Sequence, residues 1–120
     1  MGLFTTPIKS LDDLFTHTLM DIYYAEQQIV KSLPKMIEKA HSPELRAGFE
    51  QHLRETEGQV QRLEQAFRML GKDAKGVQCA AMDGIIDEAQ EIMSDAEDGD
   101  VRDAAMLAAA DRLASAGEER

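Results

Sequence analysis

The sequence of 120 residues contains no tryptophan, and aromatic side chains make up only 5% of the chain. Proline and glycine are also sparse, with 3 and 8 residues. All-β folds draw on aromatic and β-branched residues for their strands and on turn residues between them, so this composition argues against them. The core volume must come from Leu, Ile, Met and Ala, which favour helices. We therefore expect an all-α fold.

The chain has one cysteine, Cys79, which excludes an intrachain disulfide and suits a reducing compartment. No apolar run approaches the roughly 20 residues that cross a bilayer. The first residues lack the basic start and long apolar stretch of a signal peptide. These features predict a cytoplasmic protein without a membrane partner.

Basic residues are scarce, with 13 Lys and Arg against 23 Asp and Glu and a net charge of -10. Nucleic acid and anionic membranes are both bound through clustered positive charge, so neither is expected as a partner. The negative charge keeps the chain soluble, and it also attracts cations. The net charge alone does not distinguish a role in solubility from a role in cation binding.

The hydrophobic pattern predicts a single domain over residues 1–120, an antiparallel helical bundle. Ser10 with Asp13, and Ser42 before Pro43, are typical helix starts, while Gly71 is a typical helix stop. Only two or three residues separate the first two helices, so they should form a long hairpin. We expect an N-terminal arm at residues 1–9 and helices at about 11–40, 43–70, 78–95 and 101–116, the fourth being short.

One position in the first helix breaks its apolar pattern. Glu26 lies seven residues from both Leu19 and Leu33, in the row that should face the second helix. A carboxylate there is costly unless it is paired or binds a metal. Polar residues at a matching distance from the turn also interrupt the second helix, namely His52, Glu55, Thr56 and Gln59.

Oxygen and imidazole ligands at one level of a bundle are the elements of a carboxylate di-iron site. The same pattern has a plainer interpretation, because a seam glutamate can reach solvent or pair with His52 or Arg62. A histidine on a half-apolar face is also more often a hydrogen-bonded core residue than a ligand. The spacing alone leaves both interpretations open.

Several segments resemble the YciE/YciF family of bacterial ferritin-like proteins, in collinear order over about residues 3–112. They include Asp21-Ile22-Tyr23-Tyr24-Ala25-Glu26, Ser32-Leu33-Pro34-Lys35-Met36, Ser42-Pro43-Glu44-Leu45 and Cys79-Ala80-Ala81-Met82-Asp83-Gly84-Ile85-Ile86. The resemblance implies a ferritin-like four-helix core, a homodimer or higher oligomer, a cytoplasmic bacterial setting and an association with stress responses.

The resemblance also implies a di-metal centre, expected to hold iron. Glu26 matches the carboxylate of the first helix, and Glu55 and Gln59 match polar positions of the second. The spacing of the polar residues adds His52 as a further candidate metal ligand. Relatives continue the fourth helix with a Glu-His-Tyr-Glu type stretch, whereas this chain has Leu113-Ala114-Ser115-Ala116-Gly117 after Arg112. We therefore expect that one chain cannot close the centre and that two hairpins could share it.

Two functions follow as hypotheses. The first is a stress-associated ferritin-like protein with a di-iron site that is incomplete or assembled across a dimer. If this protein is an enzyme, its activity would be ferroxidase-like or peroxide-reducing. The second is a non-catalytic helical interaction or oligomerisation module that has lost its metal chemistry.

Overall fold

The computed structural model describes the backbone of residues 7–96 and 98–118, with side chains as far as Arg112. Four α-helices follow one another, and the described residues contain no strand. The all-α prediction is therefore confirmed, and the helix ends lie within two residues of those expected. The helices are α1 (Leu11–Lys39), α2 (Pro43–Met69), α3 (Ala80–Asp95) and α4 (Gly99–Glu118).

The ends of α1 and α2 are set by local hydrogen bonds. The Ser10 hydroxyl accepts the backbone N–H of Asp13 at 3.1 Å, and the Ser42 hydroxyl accepts that of Leu45 at 3.3 Å. Each bond satisfies a donor that a helix start leaves unpaired. Beyond α2, Gly71 has a φ of 70°, and the Lys72 N–H bonds back to a carbonyl in the last turn of α2. Glycine adopts this left-handed conformation without steric cost, so the helix ends there.

The two long helices α1 and α2 form the predicted antiparallel hairpin, whose length accounts for the 51 Å long axis of the molecule. The end that carries the α1–α2 turn is the closed end, and the end that carries the start of α1 and the finish of α2 is the open end. Each end holds its own apolar cluster. The closed-end cluster consists of Ile29, Leu33, Met36, Ala40, Phe49, Met93 and Met106, and the open-end cluster of Leu19, Tyr23 and Phe67.

Helices α3 and α4 form a second hairpin, which packs mainly against α1. Ala25 of α1 contacts Met82 and Ile86 of α3 in a third buried cluster. Met106 of α4 is fully buried in the closed-end cluster. The four helices therefore form a bundle in which α1 is the shared central element.

The Asp98 carboxylate caps the start of α4, accepting the N–H groups of Asp100 at 2.9 Å and Val101 at 3.0 Å. Asp103 lies one turn further along the helix and is turned toward the α1–α2 turn, where it accepts the N–H groups of His41 and Ser42. The spacing of Asp100 and Asp103 resembles a capping pair, but the pair does not cap this helix.

Candidate metal site on the long hairpin

Glu26 lies on α1 at the level where the two hairpin clusters meet. Its neighbours along the helix, Tyr23 and Ile29, belong to the open-end and closed-end clusters respectively. The side chain is half-buried, and its Oε2 atom is buried without a hydrogen-bond partner among the described residues. Buried polar atoms nearly always have a partner, so an unpartnered carboxylate oxygen here marks a candidate site.

The electrostatics of Glu26 reflect its position. Burial raises the pKa of the Glu26 carboxyl above its ordinary value, because a charged carboxylate loses hydration there. The electrostatic influence of His52 on α2 acts in the opposite direction and lowers the pKa of Glu26. Glu26 and His52 therefore interact electrostatically across the hairpin.

The buried face of α2 bears one polar residue at the same level. Thr56 is only 1% exposed, and its hydroxyl donates to the carbonyl oxygen of His52 at 2.8 Å. It lies between Leu53, which packs against the closed-end cluster, and Val60, which packs against the open-end cluster. The Thr56 hydroxyl is therefore satisfied within its own helix.

The remaining candidate ligands lie on a solvent-facing flank of α2. His52, Glu55 and Gln59 are all exposed. The Glu55 carboxylate accepts the side-chain amide N–H of Gln51 at 3.1 Å. The structure thus leaves Glu55 and Gln59 outside the seam, and His52, although it shares their exposed flank, still acts electrostatically on Glu26.

Within the described ranges, no three His, Cys, Asp or Glu side chains converge in a way that could hold a metal ion. The donor types of Glu26 and His52 suit iron, but a di-iron centre needs more ligands than this pair provides. A complete centre therefore does not fit the described part of a single chain.

The two tyrosines before Glu26 bind other carboxylates. The Tyr23 hydroxyl donates to Glu64 at 2.9 Å, and its ring packs edge-on against Phe67 at 5.5 Å between centroids. The Tyr24 hydroxyl donates to Asp83, a bond that raises the pKa of Tyr24 to about 12. These pairs were not anticipated, because 41 and 59 residues separate the partners along the chain.

The sequence also contains a Glu-x-x-His pair, the spacing common in bundle metal sites, which our sequence analysis missed. It consists of Glu38 and His41 and spans the end of α1 and the turn. Both side chains are exposed. The Glu-x-x-His spacing can be read from the sequence, but the pair lies at the α1–α2 turn, far from Glu26.

Comparison with known proteins shows the family of the chain. No helix in the described part of the chain is long and apolar enough to cross a membrane. Protein YciF of Escherichia coli is 37% identical over 107 residues, which cover 88% of this chain. This chain spans 64% of the length of that relative.

Two solved structures share the fold. YcfI from Rhodopseudomonas palustris superposes with a TM-score of 0.84 at 48% identity, over 92% of this chain and 71% of that one. The E. coli stress protein YciF superposes with a TM-score of 0.79 at 37% identity, over 88% and 67%. Residues 10–116 match the family described as a domain of unknown function, DUF892. The chain therefore belongs to the DUF892 family, and its expected likeness to YciF-type proteins is confirmed.

Proposed function

We propose that this chain is a cytoplasmic, stress-associated ferritin-like protein whose long hairpin carries half of a carboxylate metal site. A second copy of the chain would complete the site. The observation that supports this proposal is the buried Oε2 atom of Glu26, which lacks a partner among the described residues and whose carboxyl interacts electrostatically with His52. The link to stress comes from the described role of YciF as an E. coli stress protein.

Each hairpin would contribute ligands of two kinds. Glu26 supplies a half-buried carboxylate held by α1, and His52 supplies an imidazole on the neighbouring flank of α2. Glu55 and Gln59 lie one and two turns further along α2 and face outward, where a second hairpin can approach them. Such oxygen and nitrogen ligands would hold iron, which would supply the Fe(II)/Fe(III) redox chemistry that a ferroxidase-like or peroxide-reducing site needs.

Anaerobic loading of the full chain with Fe(II), followed by elemental analysis, tests the site. We expect bound iron in the wild-type protein and its loss in Glu26→Gln, which keeps the shape of the side chain but removes its charge. Glu50→Gln changes an exposed carboxylate of α2 and should leave the iron content unchanged. Equal iron in wild type and Glu26→Gln would contradict the assignment.

A second function is favoured by apolar side chains at the open end of the hairpin. Leu11 is 85% exposed, Met69 is 87% exposed and Phe15 is 52% exposed. Large exposed apolar surfaces are typical of interaction sites, so the chain would act as a helical oligomerisation module without metal chemistry. A melting temperature that neither Fe(II) nor a chelator changes would favour this module, because a bound ligand stabilises the native state.

A further inference from the structure

The large apolar side chains that are exposed in the described part of the chain fall into two groups. The first lies at the open end of the hairpin and forms the open-end surface, which consists of Ile8, Leu11, Leu14, Phe15 and Met69. The second lies on the α3–α4 hairpin and consists of Ile92, Val101 and Leu107. Exposed apolar residues that cluster on a surface are typical of interaction sites, so both groups are candidates for docking.

The open-end surface draws its residues from the ends of both long helices. The Lys72 ammonium lies 3.7 Å from the Asp12 carboxylate, which ties the chain after α2 to the first turn of α1. Leu11 and Met69 stand close to this ion pair along the chain, and both are strongly exposed. The two helix ends therefore present their apolar residues together.

Helix α4 is apolar on two opposite sides. Met106 and Ala109 are buried against the bundle. The outer face of α4 carries four exposed apolar residues at helical spacing, Val101, Ala104, Leu107 and Ala108. Val101 is 59% exposed and Leu107 is 58% exposed. A helix that is apolar all round is typically buried all round, so the outer face of α4 should also be covered by a partner.

The two surfaces differ in charge. Residues 1–79 contain 11 acidic and 10 basic side chains, whereas residues 80–112 contain 10 acidic and only 2 basic ones. Most of the negative charge of the protein therefore lies on the α3–α4 hairpin. Asp100 and Asp111 are exposed and stand near the two ends of the outer face of α4.

The open-end surface is bordered by positive charge. Lys9 and Arg68 are exposed beside it, and neither forms an ion pair with another described residue. The two nearby carboxylates already have partners: Asp12 pairs with Lys72, and Asp13 accepts the backbone N–H of Lys9 at 3.0 Å. A partner with exposed carboxylates would complement this surface.

Electrostatics therefore favours a contact between unlike surfaces of two copies. Two open-end surfaces facing each other would bring Lys9 and Arg68 of both copies together. Two outer faces of α4 would bring two acidic hairpins together, and like charges across an interface oppose binding. An open-end surface on the outer face of α4 instead joins opposite charges and covers apolar residues of both copies.

We propose that the open-end surface of one copy docks on the outer face of α4 of a second copy. This inference rests on the oligomerisation function proposed above and names the partner and the two surfaces. It makes no use of the candidate metal site. Such a head-to-tail contact is heterologous, because the two copies contribute different patches.

Sedimentation velocity of the full chain, from micromolar to millimolar concentration and at low and high salt, gives the first test. We expect association that increases with protein concentration and weakens at high salt, because salt screens exposed charges. A chain that stays monomeric at millimolar concentration would contradict this inference and the oligomerisation function together. Association that salt leaves unchanged or strengthens would overturn the head-to-tail contact alone.

Charge reversals on the two surfaces give the second test. We expect Arg68→Glu and Asp111→Arg each to weaken self-association about fivefold, as loss and reversal of exposed charge pairs predict. Arg54→Glu and Glu57→Arg are the matched controls, since they make the same changes of charge at exposed positions in the middle of α2. Association weakened equally by the controls would show an effect of net charge and would overturn the contact.

A mixture of the two charge-reversal variants identifies the surfaces as partners. In a mixed pair, each reversed surface meets the other reversed surface, and each unchanged surface meets an unchanged one. The mixture of Arg68→Glu and Asp111→Arg should therefore associate more tightly than either variant alone. Wild-type association of Asp111→Arg, or a mixture that associates no better than its components, would refute docking on α4.

Discussion

The carboxylate of Asp103 on α4 accepts the backbone N–H of Ser42, 61 residues earlier in the chain, at 2.7 Å. Its other oxygen accepts the N–H of His41 at 2.7 Å. Ser42 caps α2, so one side chain of α4 fixes both the turn of the long hairpin and the entry into α2. Gly99 permits this approach, because a Cβ there would lie 2.7 Å from the ring of His41.

We expect Asp103→Ala to lower the melting temperature, because two N–H groups of the turn lose their acceptor. Asp103→Asn retains one acceptor oxygen, so its melting temperature should fall less than that of Asp103→Ala. Asp100→Ala is the control, since Asp100 is also acidic and in the first turn of α4 but exposed. Thermal unfolding followed by circular dichroism measures all three, and an equal loss in Asp100→Ala would mean that the helix dipole, not the turn, explains the effect.

The contribution of Asp103 should also depend on pH. The N–H of His41 holds the pKa of this carboxyl below its ordinary value of 3.8, and the bond from Ser42 lowers it further. A depressed folded-state pKa stabilises the protein above the ordinary value, and the stabilisation is lost as the pH falls through the lowered pKa. The difference in melting temperature between wild type and Asp103→Ala should therefore be full at neutral pH and vanish in strong acid. A difference that persists unchanged in acid would contradict this account.

Features with local causes were predictable from the sequence. Ser10, Ser42 and Gly71 mark helix ends through contacts within a few residues, so the spacing rules found them. The antiparallel hairpin followed from the short turn, and the odd position of Glu26 followed from the heptad pattern. The pairs Tyr23–Glu64 and Tyr24–Asp83 depend on how the helices pack, which no local pattern records.

The candidate site was predictable only in part, because it too depends on how the helices pack. Two rows of residues repeat every seven positions along α2, one through Phe49 and Thr56 and the other through His52 and Gln59. The sequence does not show which row faces α1. The structure buries the row of Phe49 and Thr56 and exposes His52 and Gln59 from the other. The level of the polar residues along the hairpin was therefore predictable, whereas their rotation about the axis of α2 was not.

The hydrogen bond between Tyr23 and Glu64 should stabilise the open end of the hairpin. Tyr23→Phe keeps the ring against Phe67 and removes only the hydroxyl, so we expect a loss of about 1 kcal/mol in the free energy of unfolding. Urea denaturation measures it. A double-mutant cycle with Glu64→Gln isolates the pair, and strictly additive losses would show that the two side chains do not interact in solution.

The unpaired Oε2 atom of Glu26 should lower the stability of the metal-free protein. Glu26→Leu extends the apolar row between Leu19 and Leu33, so we expect a higher melting temperature in the presence of a chelator. Glu55→Leu changes an exposed side chain and should bring no such gain. A lower melting temperature for Glu26→Leu would show that the carboxylate has a stabilising partner.

Gly76 fixes the distance between the α2–α3 loop and α1, and its substitution tests whether this contact is as tight as the structure shows. An added Cβ would lie 2.9 Å from the Cβ and 3.1 Å from the Cα of Tyr24, and backbone atoms cannot give way as the tip of a flexible side chain can. We expect Gly76→Ala to cost about 1–3 kcal/mol in the free energy of unfolding, the usual penalty of overpacking.

Gly48 provides the matched control, since it lies inside α2 and nothing is within 4 Å of an added Cβ. Gly48→Ala should therefore stabilise the protein by about 0.5–1 kcal/mol, because alanine loses less backbone entropy in a helix. Urea denaturation of both variants gives effects of opposite sign if the loop contact is tight. A gain for Gly76→Ala would mean that the loop yields and is not held tightly against α1.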